Sequence, residues 1–253
     1  MPFDYARRLT GRTRTPDADR HLGYTLAFVA GAVNAGGFLA VRQYTSHMTG
    51  VVSSMADDIV VGTYDLVFGG AVALLSFMAG AACTAVLVNH ARRRKLHSEF
   101  ALPLLLEAML LLGFGLLGTR LALVQGLVVP ATVMLLCFIM GLQNALITKL
   151  SRAEIRTTHI TGVVTDIGIE IGKLVYWNTA GSSKEPIVAA NRSRLVVLTV
   201  LATSFFVGGV AGAFGFQLAG YLATVPLALI LITLAMVPAY DDLTPAVRRW
   251  MQR

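Results

Sequence analysis

One eight-residue stretch decides the fold because it occurs twice, as TSHMTGVV at residues 45–52 and as TTHITGVV at residues 157–164. The two copies are identical at six of eight positions and stand 112 residues apart. An acidic residue follows each histidine eleven positions later, Asp58 in the first copy and Glu170 in the second. Two apolar helices often look alike by chance, but a polar block repeated with its flanks is not such a likeness. The chain is therefore predicted to contain an internal duplication.

Shorter motifs around the two blocks recur in the same order. GAVNA at 31–35 is echoed by GLQNA at 141–145, FMAG at 77–80 by FFVG at 205–208, and PLLL at 103–106 by PLAL at 226–229. The repeat predicts a first half over residues 22–120 and a second half over residues 121–238. A basic segment, 1–21, precedes the first half, and a tail, 239–253, follows the second.

The composition excludes a water-soluble globule. Hydrophobic residues make up 55% of the 253 residues and charged residues 14%, with a mean hydropathy of +0.67, whereas a soluble domain carries about 25% charged residues. Six apolar runs are long enough to cross a bilayer as helices. They are Leu22 to Val41, Leu66 to Val88, Phe100 to Gly118, Val124 to Thr148, Leu195 to Phe216 and Leu218 to Val237. The predicted fold class is an all-α integral membrane protein with about six transmembrane helices.

Two further stretches, His47 to Gly62 and His159 to Tyr176, are half apolar but contain several acidic residues. They are too polar to face lipid along their whole length. We expect them to be broken, re-entrant or interfacial segments rather than spans.

The basic residues predict the topology. With six spans and a cytoplasmic N-terminus, 19 of the 21 Lys and Arg residues fall on the inside, and only Arg42 and Arg120 fall outside. This distribution obeys the positive-inside rule and predicts that both termini lie in the cytoplasm. Three spans per half is an odd number, so the two halves are expected to form an inverted 3+3 repeat. Inverted repeats of this kind are typical of secondary transporters.

Motifs for common enzyme chemistry are missing from the sequence. It has no G-x-S-x-G, H-E-x-x-H or Walker loop, and the two cysteines, Cys83 and Cys137, stand singly in apolar runs. We therefore expect no enzyme activity, no cofactor, no metal and no nucleic-acid partner. Residues 113–118 satisfy G-x-G-x-x-G but lie inside a span, so this motif, like Gly168 with Gly172, is interpreted as close helix packing.

The G-x-x-N-A span followed by the H-x-T-G-V block, with its echo in the second half, resembles the YoaK-type family of bacterial inner-membrane proteins. The likeness runs from about Gly23 to Val237. That family is catalogued as a domain of unknown function. The resemblance implies a multi-pass inner-membrane protein and supplies no substrate, reaction or catalytic residue.

Polar residues within or beside the spans are the candidates for function. We expect six of them to bind a substrate: Asn34, His47, Thr49, Asn144, His159 and Thr161. Three acids are coupling candidates: Glu107, Asp58 and Glu170. Glu107 breaks the repeat, because Ile230 takes its position in the second half.

Most of these residues also have a structural interpretation. Glu107 could be a protonated carboxyl group that is hydrogen-bonded to a neighbouring helix. The asparagines could join helices by hydrogen bonds, and the threonines could be helix N-caps. The acids of the two short segments could lie on solvated faces, with Lys173 paired to Glu170.

The predicted function is a secondary transporter or facilitator of a small polar or anionic solute, with its site at the interface of the repeats. A channel of the same architecture, a membrane-embedded metal or carboxylate enzyme, and a structural membrane protein are the alternatives. Expected partners are membrane lipid and the unidentified solute, and a second copy of this small chain is a further candidate.

Overall fold

The structure is a computed structural model that describes residues 15–41, 43–96, 99–121, 128–150, 160–176 and 188–236. These residues form helices and connecting turns, with no strand among them. The helices are α1 (Pro16–Val41), α2 (Met48–Val61), α3 (Tyr64–Arg93), α4 (Ala101–Leu121), α5 (Val128–Leu150), α6 (Ile160–Val175), α7 (Arg192–Ala219) and α8 (224–236). A 3-10 turn, Gly220–Ala223, joins α7 to α8.

Four stretches of the described chain are long and apolar enough to cross a membrane: Asp17–Leu39, Tyr64–Arg93, Ala131–Leu150 and Arg192–Met236. The apolar part of α4, Ala101–Leu116, is shorter. Helices satisfy their own backbone hydrogen bonds, which is why apolar runs of this length become helical in lipid.

The described residues of the six predicted apolar runs are helical almost throughout, but the start of the sixth is wrong. Leu218 still belongs to α7, and α8 begins at residue 224. Gly220 adopts a positive φ of 57° and ends α7. Glycine alone reaches this conformation at no steric cost. The break between α7 and α8 therefore depends on this one residue, and the apolar pattern continues across it without revealing it.

The two polar stretches form the short helices α2 and α6, of 14 and 16 residues. At about 1.5 Å per residue they are roughly 21 and 24 Å long, less than the bilayer core of about 30 Å. Each begins inside its copy of the repeated block, at Met48 and at Ile160. Both segments are helical, and the expectation that they are broken, re-entrant or interfacial stays a prediction.

The long helices pair across the two halves of the chain. The most extensive packing joins α1 to α7 and α3 to α5, while α2 packs on α3 and α6 packs on α7. Helices α1 and α5 also touch each other. Each major pair therefore combines the first helix of one half with the third helix of the other.

Glycines of the repeated motifs lie where these pairs cross. A methyl group added to Gly31 of α1 would overlap the carbonyl oxygen of Phe205 in α7, and one added to Gly208 would overlap that of Phe28. The other pair repeats this arrangement, with Gly80 against the carbonyl of Phe138 and Gly141 against that of Phe77. Four copies of F-x-x-G thus make two reciprocal crossings, because only glycine lets the backbones approach so closely.

Two other sets of glycines were interpreted as sites of close helix packing, and the structure supports this for one set only. Gly115 and Gly118 face the 3-10 turn, where added methyl groups would meet Thr224 and the ring of Tyr221, so the packing interpretation of G-x-G-x-x-G is confirmed there. It is wrong for Gly168 and Gly172, which are exposed and have no atom within 4 Å of such a methyl group. Their face of α6 points away from α7, which sequence spacing does not reveal.

Candidate functional site

A cavity of about 900 Å³ lies between α2 and α3 and reaches the end of α1 and the start of α5. Polar and charged residues from the first repeated block, its helix and the start of α3 line one part of it: Gln43, His47, Ser54, Asp58 and Asp65. Aromatic and aliphatic residues line the rest, including Phe38, Tyr44, Phe68 and Met134. The lining combines a few polar groups with apolar walls, which is typical of small-molecule sites.

His47 stands at the N-cap of α2, and its side chain makes no capping hydrogen bond. The imidazole lies over the first turn because residue 50 is glycine: an added methyl group there would come within 2.9 Å of His47 Nε2. The interpretation of Thr49 as the N-cap is wrong, since His47 holds that position and Thr49 is exposed within the first turn. Gly50 thus leaves the imidazole beside the cavity.

Two contacts fix the loop before α2 on the end of α1. The Ser46 hydroxyl donates to Asn34 Oδ1 at 2.8 Å. The rings of Phe38 and Tyr44 stack with centroids 4.5 Å apart and planes at 21°. Asn34 therefore does not line the cavity but holds the segment that brings His47 to it.

Asp58 connects α2 to the start of α3. Its Oδ1 accepts a hydrogen bond from the Thr63 hydroxyl at 2.8 Å, and its backbone carbonyl accepts from the N–H groups of Gly62 and Thr63, both at 2.9 Å. Gly62, with φ of 83°, makes the sharp turn between the helices. The first turn of α3 then places Asp65 in the same cavity wall.

The second half attaches α6 to α7 through ion pairs. Glu170, with 2% of its surface exposed, accepts a hydrogen bond from Lys173 Nζ at 2.9 Å and one from the backbone N–H of Asn191 at 2.7 Å. Arg194 Nη2 pairs with Asp166 Oδ2 at 2.8 Å. The Lys173 and Asn191 hydrogen bonds lower the pKa of Glu170 and outweigh the effect of its burial. The predicted pairing with Lys173 is confirmed, whereas the solvated-face interpretation of Glu170 is wrong.

Two buried polar side chains lie among the long helices. Glu107 of α4 is fully buried, and neither carboxylate oxygen has a hydrogen-bond partner within the described part of the chain. Gln143 of α5 donates to the Leu26 carbonyl of α1 at 3.4 Å, and its own oxygen has no partner in the same residues. A charged carboxylate in such a place is costly, so Glu107 is expected to be neutral in this arrangement.

The structure brings only part of the predicted site together. His47 and Asp58 line one cavity, and Asn34 is one hydrogen bond away from it. The other residues lie elsewhere. Asn144 is half-buried on α5, Thr161 is exposed on α6, Glu170 packs against α7, and Glu107 is a fully buried residue of α4. His159 is outside the described residues.

Several lining residues were missed by the sequence reasoning. Asp65 stands as a charged residue at the start of an apolar run, seven residues after Asp58. Nothing in that spacing indicates that the two acids line the same cavity. Phe38 and Tyr44 lie in a span and in a loop, so no periodic pattern relates them. No group of three or more His, Cys, Asp or Glu side chains in the described ranges is arranged to hold a metal ion.

The apolar helices and the relatives together define a membrane-embedded, all-helical protein. Residues 22–237 match the family model described as protein of unknown function (DUF1275), and the chain belongs to this family. It is 29% identical over 153 residues, 60% of this chain and 67% of the relative, to the UPF0700 transmembrane protein YoaK of Bacillus subtilis (strain 168). No solved structure shows a significant match. The resemblance to a YoaK-type family is thus confirmed.

Proposed function

We propose that this protein is a secondary transporter or facilitator of a small polar solute that binds in the α2–α3 cavity. The observation that carries the proposal is this open cavity between a short polar helix and a membrane-length helix, which is lined by His47, Asp58 and Asp65 together with apolar side chains. A site of this kind beside incomplete helices is what secondary transporters use.

The helix pairs support a rocking mechanism. Packing divides the long helices into the α1–α7 and α3–α5 pairs, and each pair is held by one crossing with two glycines. We infer that the halves are inverted repeats and that the two pairs move as rigid bodies about the α1–α5 contact. The short helices would travel with their own partners, α2 with α3 and α6 with α7, which would change access to the cavity.

Glu107 is our candidate for proton coupling, with Asp58 as a second acid at the cavity. A neutral carboxyl group among packed helices gains or loses a proton only when water or a polar partner reaches it. A movement between the helix pairs would provide that access. Glu170 is already held by Lys173 and Asn191, which favours a role in fixing α6 to α7.

A binding screen tests the location of the site. The purified protein would be unfolded thermally in detergent with small ions, amino acids, sugars, nucleobases and divalent metals, since a ligand of the folded state raises its stability. A stabilising solute is expected to lose its effect in His47→Ala and to keep it in the control His90→Ala, an exposed histidine near the end of α3. An equal effect in both variants would place the site elsewhere.

Flux measurements then separate the classes of protein. A transporter in proteoliposomes gives saturable uptake of the stabilising solute that counterflow accelerates. Flux without counterflow would identify a channel, and a chemical product would identify an enzyme. A folded protein that neither binds nor moves any solute would favour a structural role.

Cysteine labelling tests the inverted topology, with Met48→Cys and Ile160→Cys introduced separately into a chain lacking Cys83 and Cys137. The inverted repeat predicts labelling from opposite sides of the membrane. Labelling of both from one side would contradict it.

A further inference from the structure

The two halves differ in how they neutralise their acids. In the second half, Glu170 pairs with Lys173 at 2.9 Å and Asp166 pairs with Arg194 at 2.8 Å. Lys173 lies on α6, the helix that carries both acids, and Arg194 lies on α7, the helix on which α6 packs. The second half is therefore neutral at this place without any ligand.

The first half lacks the corresponding cations. The 112-residue offset that relates Asp58 to Glu170 relates Val61 to Lys173. Thr63 and Asn191 are the N-caps of α3 and α7, and the third residue after each is Leu66 and Arg194. Apolar residues thus stand where the second half has its two cations.

The two acids share one contact, a hydrogen bond to the N-cap residue of the following long helix. Asp58 accepts a hydrogen bond from the side chain of the N-cap Thr63, as Glu170 accepts one from the backbone of the N-cap Asn191. Each acid therefore ties its short helix to the start of the following long helix. What differs is the countercharge, since Asp58 forms no ion pair with a described residue.

The rest of the cavity adds a negative charge and aromatic surface. Asp65 is the second acid of the lining, and no Lys or Arg is among the residues described as lining it. The stacked pair of Phe38 and Tyr44, together with Phe68, provides aromatic rings, which attract cations through their faces.

We propose that the cavity binds a small organic cation, an ammonium compound whose positive charge takes the place at Asp58 that Lys173 takes at Glu170. This inference rests on the proposed function for the location of the site, and it replaces the anionic solute considered from the sequence. The aromatic and aliphatic walls favour an organic ammonium group over a hydrated metal ion, because they contact its carbon atoms. A volume of about 900 Å³ is ample for such a molecule.

The test compares choline with its uncharged analogue, in which carbon replaces the nitrogen, and with a carboxylate of similar size. Binding to the purified full-length chain in neutral detergent is measured by calorimetry and by thermal shift. Choline is expected to bind at least about ten-fold more tightly than the uncharged analogue, the effect of about 1.4 kcal/mol. Equal binding of these two, or tighter binding of the carboxylate, would overturn the proposal.

A substitution that builds the missing ion pair gives the sharper result. Val61→Lys places a cation three residues after Asp58, the spacing that joins Glu170 to Lys173. It is expected to weaken choline binding about ten-fold or more, since the protein then supplies the charge itself. The control is Val60→Lys, which adds the same charge at a neighbouring exposed position of α2 and should leave binding within about two-fold of the original chain.

The outcomes also separate this inference from the proposed function. Equal effects of Val61→Lys and Val60→Lys in folded, monodisperse protein would show that Asp58 is not the countercharge. Charge-selective choline binding without flux in proteoliposomes would support the cation site and contradict transport of choline. Counterflow of a neutral or anionic solute, with no choline binding, would support transport and overturn the cation site.

Discussion

Replacing Gly80 by alanine should separate the α3–α5 pair. The new methyl group would overlap the Phe138 carbonyl oxygen and lie 2.9 Å from the backbone nitrogen of Leu142. Both are backbone atoms, so no side-chain rotation relieves the contact and the helices must move apart. Overpacking costs about 1–3 kcal/mol, and the better helix propensity of alanine recovers at most about 1 kcal/mol.

We therefore expect Gly80→Ala to lower the free energy of unfolding by about 1–2 kcal/mol. The assay is reversible unfolding in mixed micelles by titration with SDS, followed by circular dichroism. The matched control is Gly69→Ala on the same helix, where nothing lies within 4 Å of the added methyl group. That variant should be as stable as the original chain or more stable.

A symmetry-related variant extends the test to the other crossing. Gly208→Ala meets the Phe28 carbonyl in the α1–α7 pair and should cost a similar amount. Identical SDS midpoints for Gly80→Ala and Gly69→Ala would refute the reasoning, because they would mean that the backbones do not approach at Gly80.

Two further predictions concern single hydrogen-bonded groups. The pKa of Glu170 is lowered on folding, so its contribution to stability is present above the unfolded value of about 4.3 and is lost as pH falls through the lower folded value. SDS titrations of Glu170→Gln between neutral and acid pH should show a smaller loss of stability than the original chain, and an unchanged pH dependence would contradict this. Thr84 donates to the Leu142 carbonyl at 2.8 Å from a fully buried site, so Thr84→Val should cost about 1 kcal/mol. The same change at the exposed Thr199, whose hydroxyl bonds only within its own helix, is the control and should cost much less.

The two crossings differ at one pair of equivalent positions. The alignment of the motifs at 77–80 and 205–208 places Thr84 opposite Gly212. Thr84 donates to the carbonyl of Leu142, whereas Gly212 lies directly against the carbonyl of Ala32. Leu142 and Ala32 each follow the glycine of the G-x-x-N-A motif. The same approach of two helices is therefore stabilised by a hydrogen bond in one pair and by the absence of a side chain in the other.

The helices follow from local composition, because each helix satisfies its backbone hydrogen bonds within one segment. The sequence was sufficient to predict the long apolar helices and to distinguish from them the two short polar segments at the repeated blocks, and it named His47 and Asp58, which line one cavity. It failed at Gly220, where one residue with positive φ interrupts an otherwise continuous apolar run.

The tertiary structure alone decided which helices meet. Association in lipid depends on close fit between distant segments rather than on hydrophobicity, which all the spans share. The pairing of α1 with α7 and α3 with α5, the cavity that unites Asp65 with Tyr44, and the contact of Glu170 with Asn191 all depend on that fit. The sequence held the four F-x-x-G motifs and the two acids, but only the packing showed that the motifs face each other and that Asp58, unlike Glu170, forms no ion pair with a residue of the described ranges.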